Sequence, residues 1–335
     1  MNAMELSEPG PIALPRLTRV ERPTPQPNLT RTTGQVLLQV RACGVCHTDL
    51  HIVEGDLPLH KRPVIPGHQV VATVAAISSG SGGLGVGDRV GVPWLHSACG
   101  ACEYCRHGQE NLCDQAQFTG WDVDGGFAGF MLARPDFVVP IPSEFEDVEA
   151  APLLCAGVIG YRSLRRAEVQ PGERVGLVGF GASAHLAIQV ARHWNCQVAV
   201  MTRAAAHRRL AEELGATWTG TVDETPPWPL DRAVVFAPVG ALVPAVLRRL
   251  RKGGTLAINA IHMSPLPEMD YNLLYGERTV RSVTNATRQD AAEFMQLAAD
   301  ANIAVEAEVF PLAEANQALL KLKQSEIRGA AVLVP

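Results

Sequence analysis

Residues 175–184 read Val-Gly-Leu-Val-Gly-Phe-Gly-Ala-Ser-Ala, an apolar run that passes into a glycine-rich turn. The turn has the spacing Gly179-x-Gly181-x-x-Ala184, and a helical pattern follows it. Glycines at these places let the backbone turn tightly and approach a pyrophosphate at the start of a helix. Such turns are common, but the strand before this one and the helix after it are the context in which the motif indicates a dinucleotide site.

Strand and helix patterns alternate from this motif onward. The predicted strands are Val175–Val178, Val198–Met201, Ala233–Ala237 and Thr255–Ala260. The predicted helices between them are Ala184–Trp194, Ala205–Leu214 and Ala241–Leu250. This alternation predicts a parallel sheet covered by helices.

The end of the second predicted strand bears on the choice of cofactor. Thr202 and Arg203 follow the strand, where an NAD site usually has Asp or Glu to bind the ribose hydroxyls. A carboxylate there would repel a 2′-phosphate, whereas a hydroxyl and a guanidinium can both contact phosphate. The pair therefore favours NADP(H), and a solvated surface role for Arg203 is the alternative.

The first 150 residues have a different pattern. Short apolar runs such as Gln35–Val40 and Val70–Ile77 are interrupted by Gly and Pro, which predicts an irregular, mostly β domain. A helical pattern at Asp290–Ala299 and a strand pattern at Ala330–Val334 follow near the end of the chain. We therefore expect an α/β protein of two domains, as the length of 335 residues also suggests at about 150 residues per core.

Four cysteines lie within fifteen residues of a polar, turn-rich segment, at Cys99, Cys102, Cys105 and Cys113. The first three have the spacing C-x2-C-x2-C, which can bring thiolates around one metal ion. A closed set of four thiolates is typical of structural zinc. An iron–sulfur cluster is the main alternative, and ordinary buried cysteines are a weaker one.

A second group of metal-binding residue types is dispersed along the chain. It comprises Cys46 in the run Cys43-Gly-Val-Cys-His-Thr-Asp-Leu-His51, His68 after Pro66-Gly, and Cys155. Two cysteines and one histidine make an open zinc site with a position left for substrate. On spacing alone this trio is weak, because a histidine after Pro-Gly is more often a turn residue and a lone cysteine more often part of the core.

Composition excludes several classes of function. The net charge is −5, from 29 basic and 34 acidic residues, and no long basic block occurs, so we expect no nucleic-acid partner. No apolar stretch reaches the roughly 18 residues that span a bilayer, so we expect no membrane association. The first seventeen residues do not form the apolar run of a signal peptide, and the eight cysteines cluster as metal ligands do, so we expect a cytoplasmic protein.

Taken together, these stretches resemble the zinc-containing alcohol dehydrogenases of the medium-chain dehydrogenase/reductase family, particularly their yeast-like bacterial and fungal branch. The resemblance spans nearly the whole chain and rests on residues 43–51, 66–68, 99–105, 153–157 and 179–181 in that order. It implies a GroES-like catalytic domain over residues 1–153 and 285–335. It also implies a doubly wound Rossmann cofactor domain over residues 154–284.

The resemblance assigns the metal ligands. It places a catalytic zinc ion on Cys46, His68 and Cys155, and a structural zinc ion on Cys99, Cys102, Cys105 and Cys113. Asp49 then matches a carboxylate near the catalytic zinc, and Trp94 matches an aromatic wall of the substrate pocket. The implied chemistry is an alkoxide bound to zinc whose proton leaves by a relay from Thr48 through the cofactor ribose to His51.

The resemblance likewise assigns the cofactor contacts, at His47, Gly179, Gly181, Ala184, Thr202 and Arg203. Four features depart from the family: Ala184 replaces the third glycine of the fingerprint, Thr202-Arg203 replaces the acidic end of the second strand, and two single positions differ. Gln69 stands where relatives usually have Glu, and Ile159 where they often have Thr. Cys43 and Cys196 are left over as small apolar residues.

The function implied is the interconversion of alcohols and aldehydes or ketones by hydride transfer to or from NAD(P)H, in a homodimer or homotetramer with two zinc ions per chain. One alternative is an enzyme of the same fold that acts on polyols or cinnamyl-type aldehydes. Another is a non-catalytic redox sensor that binds zinc and cofactor, which Thr48 and His51 disfavour because neither is a metal ligand in the scheme. A zinc-free quinone reductase would not need either set of ligands.

Overall fold

The computed structural model describes residues 1–28, 34–78 and 82–335. The chain divides into two compact units. The first unit comprises Met1–Cys155, Asn285–Ala299 and Ala304–Pro335, and the second comprises Ala156–Thr284 and Asp300–Ile303.

The strands are, in chain order, β1 (Asn2–Leu6), β2 (Leu17–Glu21), β3 (Val36–Val45), β4 (Gln69–Ile77), β5 (Arg89–Val92), β6 (Leu95–Ser97), β7 (Gln117–Phe118), β8 (Phe130–Ala133), β9 (Val139–Pro140), β10 (Arg174–Val178), β11 (Gln197–Met201), β12 (Trp218–Gly220), β13 (Leu230–Val235), β14 (Leu250–Ile258), β15 (Thr279–Ser282), β16 (Ala307–Pro311) and β17 (Ala330–Val334). The α-helices are α1 (His47–Glu54), α2 (Glu103–Arg106), α3 (Asp147–Pro152), α4 (Val158–Arg166), α5 (Ala182–His193), α6 (Ala205–Glu213), α7 (Leu242–Leu247), α8 (Arg288–Asp300) and α9 (Ala315–Lys323). A π-helical turn, Leu153–Gly157, joins α3 to α4.

The second unit is built on a six-stranded parallel sheet in the order β12-β11-β10-β13-β14-β15. Numbered from β10, this is the order 3-2-1-4-5-6 of the doubly wound dinucleotide-binding fold. Successive residues of both strands, such as Leu177 and Val178 of β10 and Val198 and Ala199 of β11, are buried, as expected for strands covered on both faces. The structure therefore confirms the predicted parallel sheet.

The glycine-rich turn lies directly after β10, the strand at which the order of the sheet reverses. Gly179 has φ of +88°, and a Cβ there would lie 2.9 Å from the backbone nitrogen of Ala237. A side chain is therefore excluded both by backbone conformation and by space. Gly181 is the N-cap of α5, so the unpaired N–H groups of the helix begin where the turn ends.

The first unit contains the mostly β part of the chain. Its main sheet runs β16-β17-β3-β4-β5-β9, with β8 also paired to β3, and its pairs are antiparallel except β16 with β17. Alternate residues of β3 and β4, among them Val36, Leu38 and Val70, are fully buried in its core. The structure confirms the irregular β architecture expected from the short apolar runs.

Four elements differ from the sequence patterns. Helix α7 ends at Leu247 rather than at Leu250, because β14 already begins at Leu250, where it pairs with Leu230. The pairing then shifts register before Arg232 meets Thr255, so the strand is longer than its apolar part. The pattern also does not predict β12 and β15, which form the two edges of the sheet.

Candidate functional site

Three side chains that lie far apart in the sequence meet in the first unit. Cys46 stands before α1, His68 lies in the loop before β4, and Cys155 lies in the π-helical turn. Their ligand atoms all lie within 4.8 Å of one another, and Cys46 Sγ is 3.4 Å from His68 Nε2. His68 is buried while both cysteines are partly exposed. The cluster is therefore accessible on the side of its thiols.

Asp49 holds two of these three residues in place. It is fully buried, and its Oδ2 accepts a hydrogen bond from the backbone N–H of Cys46 at 2.9 Å. Its Oδ1 accepts from the N–H of Gly67 at 3.2 Å and lies 3.0 Å from His68 Nδ1. A hydrogen bond at Nδ1 fixes the imidazole with Nε2 toward the thiols, the orientation that a metal-binding histidine needs.

The Pro66-Gly67-His68 loop needs glycine at its centre. Gly67 has φ of +98°, and a Cβ there would lie 2.4 Å from the ring of Phe127 and 2.8 Å from Cys43 Sγ. The buried Cys43 thus packs behind the loop and is not one of the three clustered ligands. This packing explains why His68 can reach the site directly after a tight turn.

The electrostatics of the cluster favour thiolate. The hydrogen bond to Cys155 and the nearby His68 lower the pKa of Cys46 well below its usual value, although burial opposes the shift. The hydrogen bond to Cys46 and burial raise the pKa of Cys155 well above its usual value, so Cys46 is the more acidic of the two thiols. Burial would lower the pKa of His68, but the charges of Asp49 and Cys46 raise it to about 10. Asp49 and Cys46 thus supply negative charge at the cluster, and a metal ion bound to His68 Nε2 would replace a proton there.

The donor set fits a zinc ion. Tetrahedral bonds of the usual Zn–S and Zn–N lengths place a sulfur and a nitrogen ligand about 3.5 Å apart. The observed separation of Cys46 Sγ from His68 Nε2 is 3.4 Å. Three protein ligands leave the fourth position of a tetrahedral zinc ion open, which is the arrangement of catalytic sites.

The four-cysteine lobe, residues 99–113, holds the second cluster. The sulfurs of Cys99, Cys102, Cys105 and Cys113 all lie within 4.8 Å of one another. Cys99 Sγ and Cys105 Sγ are 3.9 Å apart, too far for a disulfide and close to the roughly 3.8 Å expected of tetrahedral zinc thiolates.

Backbone amides of the lobe donate to its sulfurs. Cys99 Sγ accepts hydrogen bonds from the N–H groups of Ala101 and Cys102, at 3.4 and 3.3 Å, which lower its pKa to about 6. Burial and the hydrogen bond to Cys102 raise the pKa of Cys105 to about 12. The lobe fits a closed tetrathiolate metal site with no position left for substrate.

The proposed relay residues lie on α1. Thr48 and His51 are three residues apart and so share one face of the helix, with Thr48 half-buried in its first turn. His47 is exposed, and its ring centroid lies 6.4 Å from that of His51. His51 Nδ1 lies 2.8 Å from Asp56 Oδ2, a partner that the sequence pattern did not reveal.

An aromatic wall stands beside the open cluster. The rings of Trp94 and His68 have centroids 5.8 Å apart, and Trp94 in turn contacts Phe118 at 4.7 Å and Trp121 at 6.2 Å. His60 stacks on the far side of Trp121 at 4.0 Å. Sequence reasoning found Trp94 only, although two aromatic residues three positions apart after Cys113 were a possible signal for the rest.

Five of the six predicted cofactor residues lie in the second unit, after the ends of β10 and β11, whereas His47 lies on α1 in the first unit. Gly179 and Gly181 form the turn after β10, and Ala184 is fully buried in the first turn of α5. Thr202 follows β11, and its N–H donates to the carbonyl of Gly220 at 2.8 Å. A Cβ on Gly181 would meet no described atom within 4 Å, so open space lies before the start of α5.

Arg203 is the exposed cation at this edge. Among the described residues its guanidinium makes no ion pair, while its carbonyl and that of Thr202 each accept a hydrogen bond from Arg208 Nη1 at 2.9 Å. The backbone that carries Arg203 is therefore held in place, and its side chain is available to an anion.

Comparison with known proteins agrees with the fold. Residues 32–143 match the family described as alcohol dehydrogenase GroES-like domain, and residues 184–300 match the family described as zinc-binding dehydrogenase. The "Probable alcohol dehydrogenase AdhA" of Mycobacterium tuberculosis is 48% identical over 340 residues, covering 100% of this chain and 97% of that relative. An alcohol dehydrogenase of Geobacillus stearothermophilus is 37% identical over 311 residues, covering 90% of this chain and 92% of that relative.

A solved structure shows the same similarity in the fold of the backbone. A cinnamyl alcohol dehydrogenase of Sorghum bicolor superposes with a TM-score of 0.89 at 25% sequence identity, covering 99% of this chain and 97% of that one. The matched families, the full-length relatives and the backbone fold all indicate the same family. The chain belongs to the zinc-type alcohol dehydrogenases of the medium-chain dehydrogenase/reductase family, and it is an oxidoreductase.

Proposed function

We propose that this chain is a zinc-dependent dehydrogenase that interconverts alcohols and aldehydes or ketones with a nicotinamide cofactor. The observation that carries the proposal is the open cluster of Cys46, His68 and Cys155, with Asp49 buried behind it. A ligand set of this kind is typical of a catalytic rather than a structural zinc ion.

A zinc ion and a nicotinamide cofactor would supply the chemistry that side chains cannot. A zinc ion at this cluster would act as a Lewis acid toward a substrate oxygen, and the nicotinamide would donate or accept the hydride. The protein's part is to position both and to move one proton. Thr48 Oγ1 takes the proton of the alcohol, and His51, three residues along the same helix face, delivers it to water.

The four-cysteine lobe holds a second zinc ion with a structural role, giving two per chain. Its closed set of thiolates and its backbone N–H hydrogen bonds support this proposal. Thiolate ligands alone also fit an iron–sulfur cluster. Elemental analysis of zinc and iron on the same sample separates the two.

For the cofactor we propose a preference for NADP(H). The support is the exposed Arg203 beside Thr202 at the end of β11, with no carboxylate at either position. The contact of His47 with the cofactor pyrophosphate, implied by the family resemblance, is part of the same proposal. Its chemistry is favourable, since an exposed imidazole can donate to phosphate.

An aromatic substrate is the second candidate, within the same reaction. Trp94, Phe118 and Trp121 form one continuous aromatic surface that begins beside His68, and such a surface suits a flat, conjugated ring. The similarity to a cinnamyl alcohol dehydrogenase supports it further. A polyol, in contrast, would gain little from three aromatic rings.

Steady-state kinetics on a panel of substrates tests the proposal. The panel would hold short primary alcohols, secondary alcohols, polyols, and cinnamyl and benzyl alcohols with their carbonyl counterparts, each with NAD(H) and NADP(H). We expect turnover of simple and aromatic alcohols, with the aromatic ones having the lower KM. Stoichiometric binding of cofactor without turnover of any panel member would instead support the redox sensor.

A further inference from the structure

Trp121 extends the aromatic wall beyond Trp94. The centroid of its ring lies 6.2 Å from that of Trp94, at an interplanar angle of 28°, and 5.9 Å from that of Phe118. Trp94 is the member of the wall whose ring lies beside His68, at 5.8 Å. A short alcohol bound at the open cluster therefore meets Trp94 first, whereas a substrate with a ring attached extends toward Trp121.

A tight turn fixes the backbone of Trp121 but not its ring. The N–H groups of Trp121 and Asp122 both donate to the carbonyl of Phe118, at 3.3 and 3.0 Å. Asp122 Oδ2 closes the turn by accepting from the N–H of Phe118 at 2.8 Å. The indole can still rotate about its own side-chain bonds, so its direction depends on the groups that surround it.

Residues 58–60, in a second loop, hold the indole. The Nε1–H of Trp121 donates to the carbonyl of Pro58 at 2.9 Å. The imidazole of His60 lies nearly parallel to the indole, with ring centroids 4.0 Å apart and an interplanar angle of 22°. The two rings are in van der Waals contact at this distance. The indole therefore cannot rotate toward the second loop without displacing His60.

His60 is itself held by the turn that carries Trp121. His60 Nδ1 lies 2.7 Å from Asp122 Oδ1, within hydrogen-bond distance. The side chain of His60 is 50% exposed, whereas that of Asp122 is 16% exposed. Because burial does not fix a half-exposed side chain, the contacts with Asp122 and Trp121 determine where the imidazole lies. His60, Trp121 and Asp122 thus form one clamp between the two loops.

We propose that His60 is a positioning residue for substrate selection, a role that rests on the function proposed above. His60 holds the indole of Trp121 beside Trp94 and Phe118, which keeps the aromatic wall long enough for a ring attached to the reacting carbon. It acts through Trp121 and touches neither substrate nor cofactor. Its loss should therefore weaken the binding of aromatic alcohols and leave short alcohols nearly unaffected.

A neighbouring ion pair provides the matched control. Lys61 Nζ pairs with Asp124 Oδ1, and this pair joins the same two loops. Neither side chain contains a ring. Lys61→Ala therefore weakens the connection between the loops without removing the group that stacks on Trp121.

The test compares wild type with His60→Ala, His60→Phe and Lys61→Ala. Steady-state kinetics give kcat and KM for ethanol and for cinnamyl alcohol. Isothermal titration calorimetry gives the Kd of cinnamyl alcohol in the presence of NADH or NADPH, which cannot accept a hydride. A favourable contact between aromatic rings corresponds to about 2- to 10-fold in affinity. We expect His60→Ala to raise KM and Kd for cinnamyl alcohol by about this factor, with Tm and the kinetics of ethanol close to wild type.

Two further results complete the test. His60→Phe keeps a flat ring against the indole and should retain most of the affinity for cinnamyl alcohol, whereas Lys61→Ala should change neither alcohol. In a Trp121→Ala background, His60→Ala should cause no additional loss, because the ring that it holds is gone.

The outcomes separate the inference from the function on which it rests. Unchanged Kd for cinnamyl alcohol in His60→Ala would overturn the role of His60. An equal rise in KM for both alcohols, or the same effect in Lys61→Ala, would also overturn it, since that is the result of a purely structural role. A wild type that oxidises no alcohol would contradict the proposed function, and the Kd values would still decide whether His60 supports the aromatic wall.

Discussion

At the scale of single residues, the site depends on one buried carboxylate that makes three contacts. Asp49 accepts from the N–H groups of Cys46 and Gly67 and pairs with His68 Nδ1. Burial raises the pKa of Asp49, while His68 and the backbone N–H of Cys46 oppose that rise. A single residue of α1 thus fixes the start of its own helix, the loop before β4 and the ring of a proposed zinc ligand.

The proposed preference for NADP(H) also depends on a single residue, Arg203. A hydrogen bond to a charged group contributes about 1.5–3 kcal/mol, so a contact between Arg203 and a 2′-phosphate corresponds to roughly 10- to 100-fold in affinity. We expect wild type to use NADP(H) at least as well as NAD(H), and Arg203→Ala to lower kcat/KM for NADP(H) by about that factor while NAD(H) changes little.

Arg208→Ala is the informative comparison for this prediction. Its guanidinium holds the carbonyls of Thr202 and Arg203, so its loss should loosen the segment and affect both cofactors. Two results together would contradict the prediction: a wild type that prefers NAD(H) about tenfold, and an Arg203→Ala variant whose use of NADP(H) is unaltered. They would show that the Arg203 guanidinium contacts only solvent.

Individual site residues could be predicted from the sequence only where a motif contains them. The four-cysteine lobe has a spacing that predicts a metal site, whereas Cys46, His68 and Cys155 were assigned by the family resemblance of the runs that contain them. The structure brings each set together. The contact of Asp56 with His51 could not be predicted, because it depends on the left-handed turn at Gly55. Trp121 likewise reaches the aromatic wall through the packing of a loop, which no spacing encodes.

At the scale of elements, the lobe of residues 99–113 buries few apolar side chains. Its helix α2 has four residues, none of them buried. A closed thiolate site contributes its binding energy directly to folding. We therefore expect Cys102→Ser to remove about one metal ion per chain and to lower Tm by about 10 °C, as a loss of several kcal/mol would.

Cys196→Ser is the control for the lobe. Cys196 is buried in the second unit and belongs to neither cluster, so this variant should keep both metal ions. Differential scanning calorimetry and elemental analysis on the same samples check both variants. Unchanged Tm and metal content in Cys102→Ser would contradict a structural metal in the lobe.

A second prediction concerns three neighbouring strands of the parallel sheet. Asp231 of β13 accepts hydrogen bonds from the N–H and Nε of Arg174 of β10, at 2.8 and 3.0 Å, and from Nε of Arg251 of β14. Burial alone would raise the pKa of Asp231, but these hydrogen bonds hold it below its usual value. The native state therefore binds fewer protons at Asp231 than the unfolded state does at moderately acidic pH.

The sign of the pH dependence follows from this shift. The ionised Asp231 stabilises the native state fully above the pKa of about 3.9 that aspartate has in the unfolded chain. This stabilisation is lost as pH falls through the lower pKa of Asp231 in the folded protein. We expect Asp231→Asn to lower the free energy of unfolding by about 1–2 kcal/mol from neutral pH down to about pH 5, with the deficit shrinking below that. Urea denaturation across this range checks it, and a deficit that grows on acidification would be the wrong sign.

Elements with a clear apolar pattern could be predicted from the sequence. Elements whose bounds depend on pairing with a neighbouring strand could not. Strand β17 has the predicted bounds, and β10 and β11 begin one residue before them, because buried parallel strands are continuous apolar runs. Strand β12 has only three residues, and residues 251–253 near the start of β14 are exposed and not apolar, so neither leaves an apolar pattern. The π-helical turn that carries Cys155 also has no periodic signature, although such turns often occur at functional sites.

At the scale of the whole molecule, the order of the parallel sheet is the most informative single feature. It follows from the right-handed β-α-β connections of a chain that alternates strand and helix, and the alternation was visible in the sequence. Among the described residues, no helix is long and apolar enough to cross a membrane. The predicted domain limits, the homodimer or homotetramer and the cytoplasmic location stay predictions, for which size-exclusion chromatography with light scattering checks the assembly.

The most direct test of the central claim is one paired assay of wild type and Cys46→Ser, with alcohol oxidation and zinc content measured on the same samples. We predict about two zinc ions per wild-type chain and turnover with a nicotinamide cofactor. We predict that Cys46→Ser keeps the zinc of the lobe and a Tm near wild type, but loses roughly 100-fold or more in kcat/KM, since substitutions around a zinc ion commonly cost 10- to 100-fold and this one removes a ligand. Full turnover by wild type that contains no zinc, or by Cys46→Ser, would contradict the account.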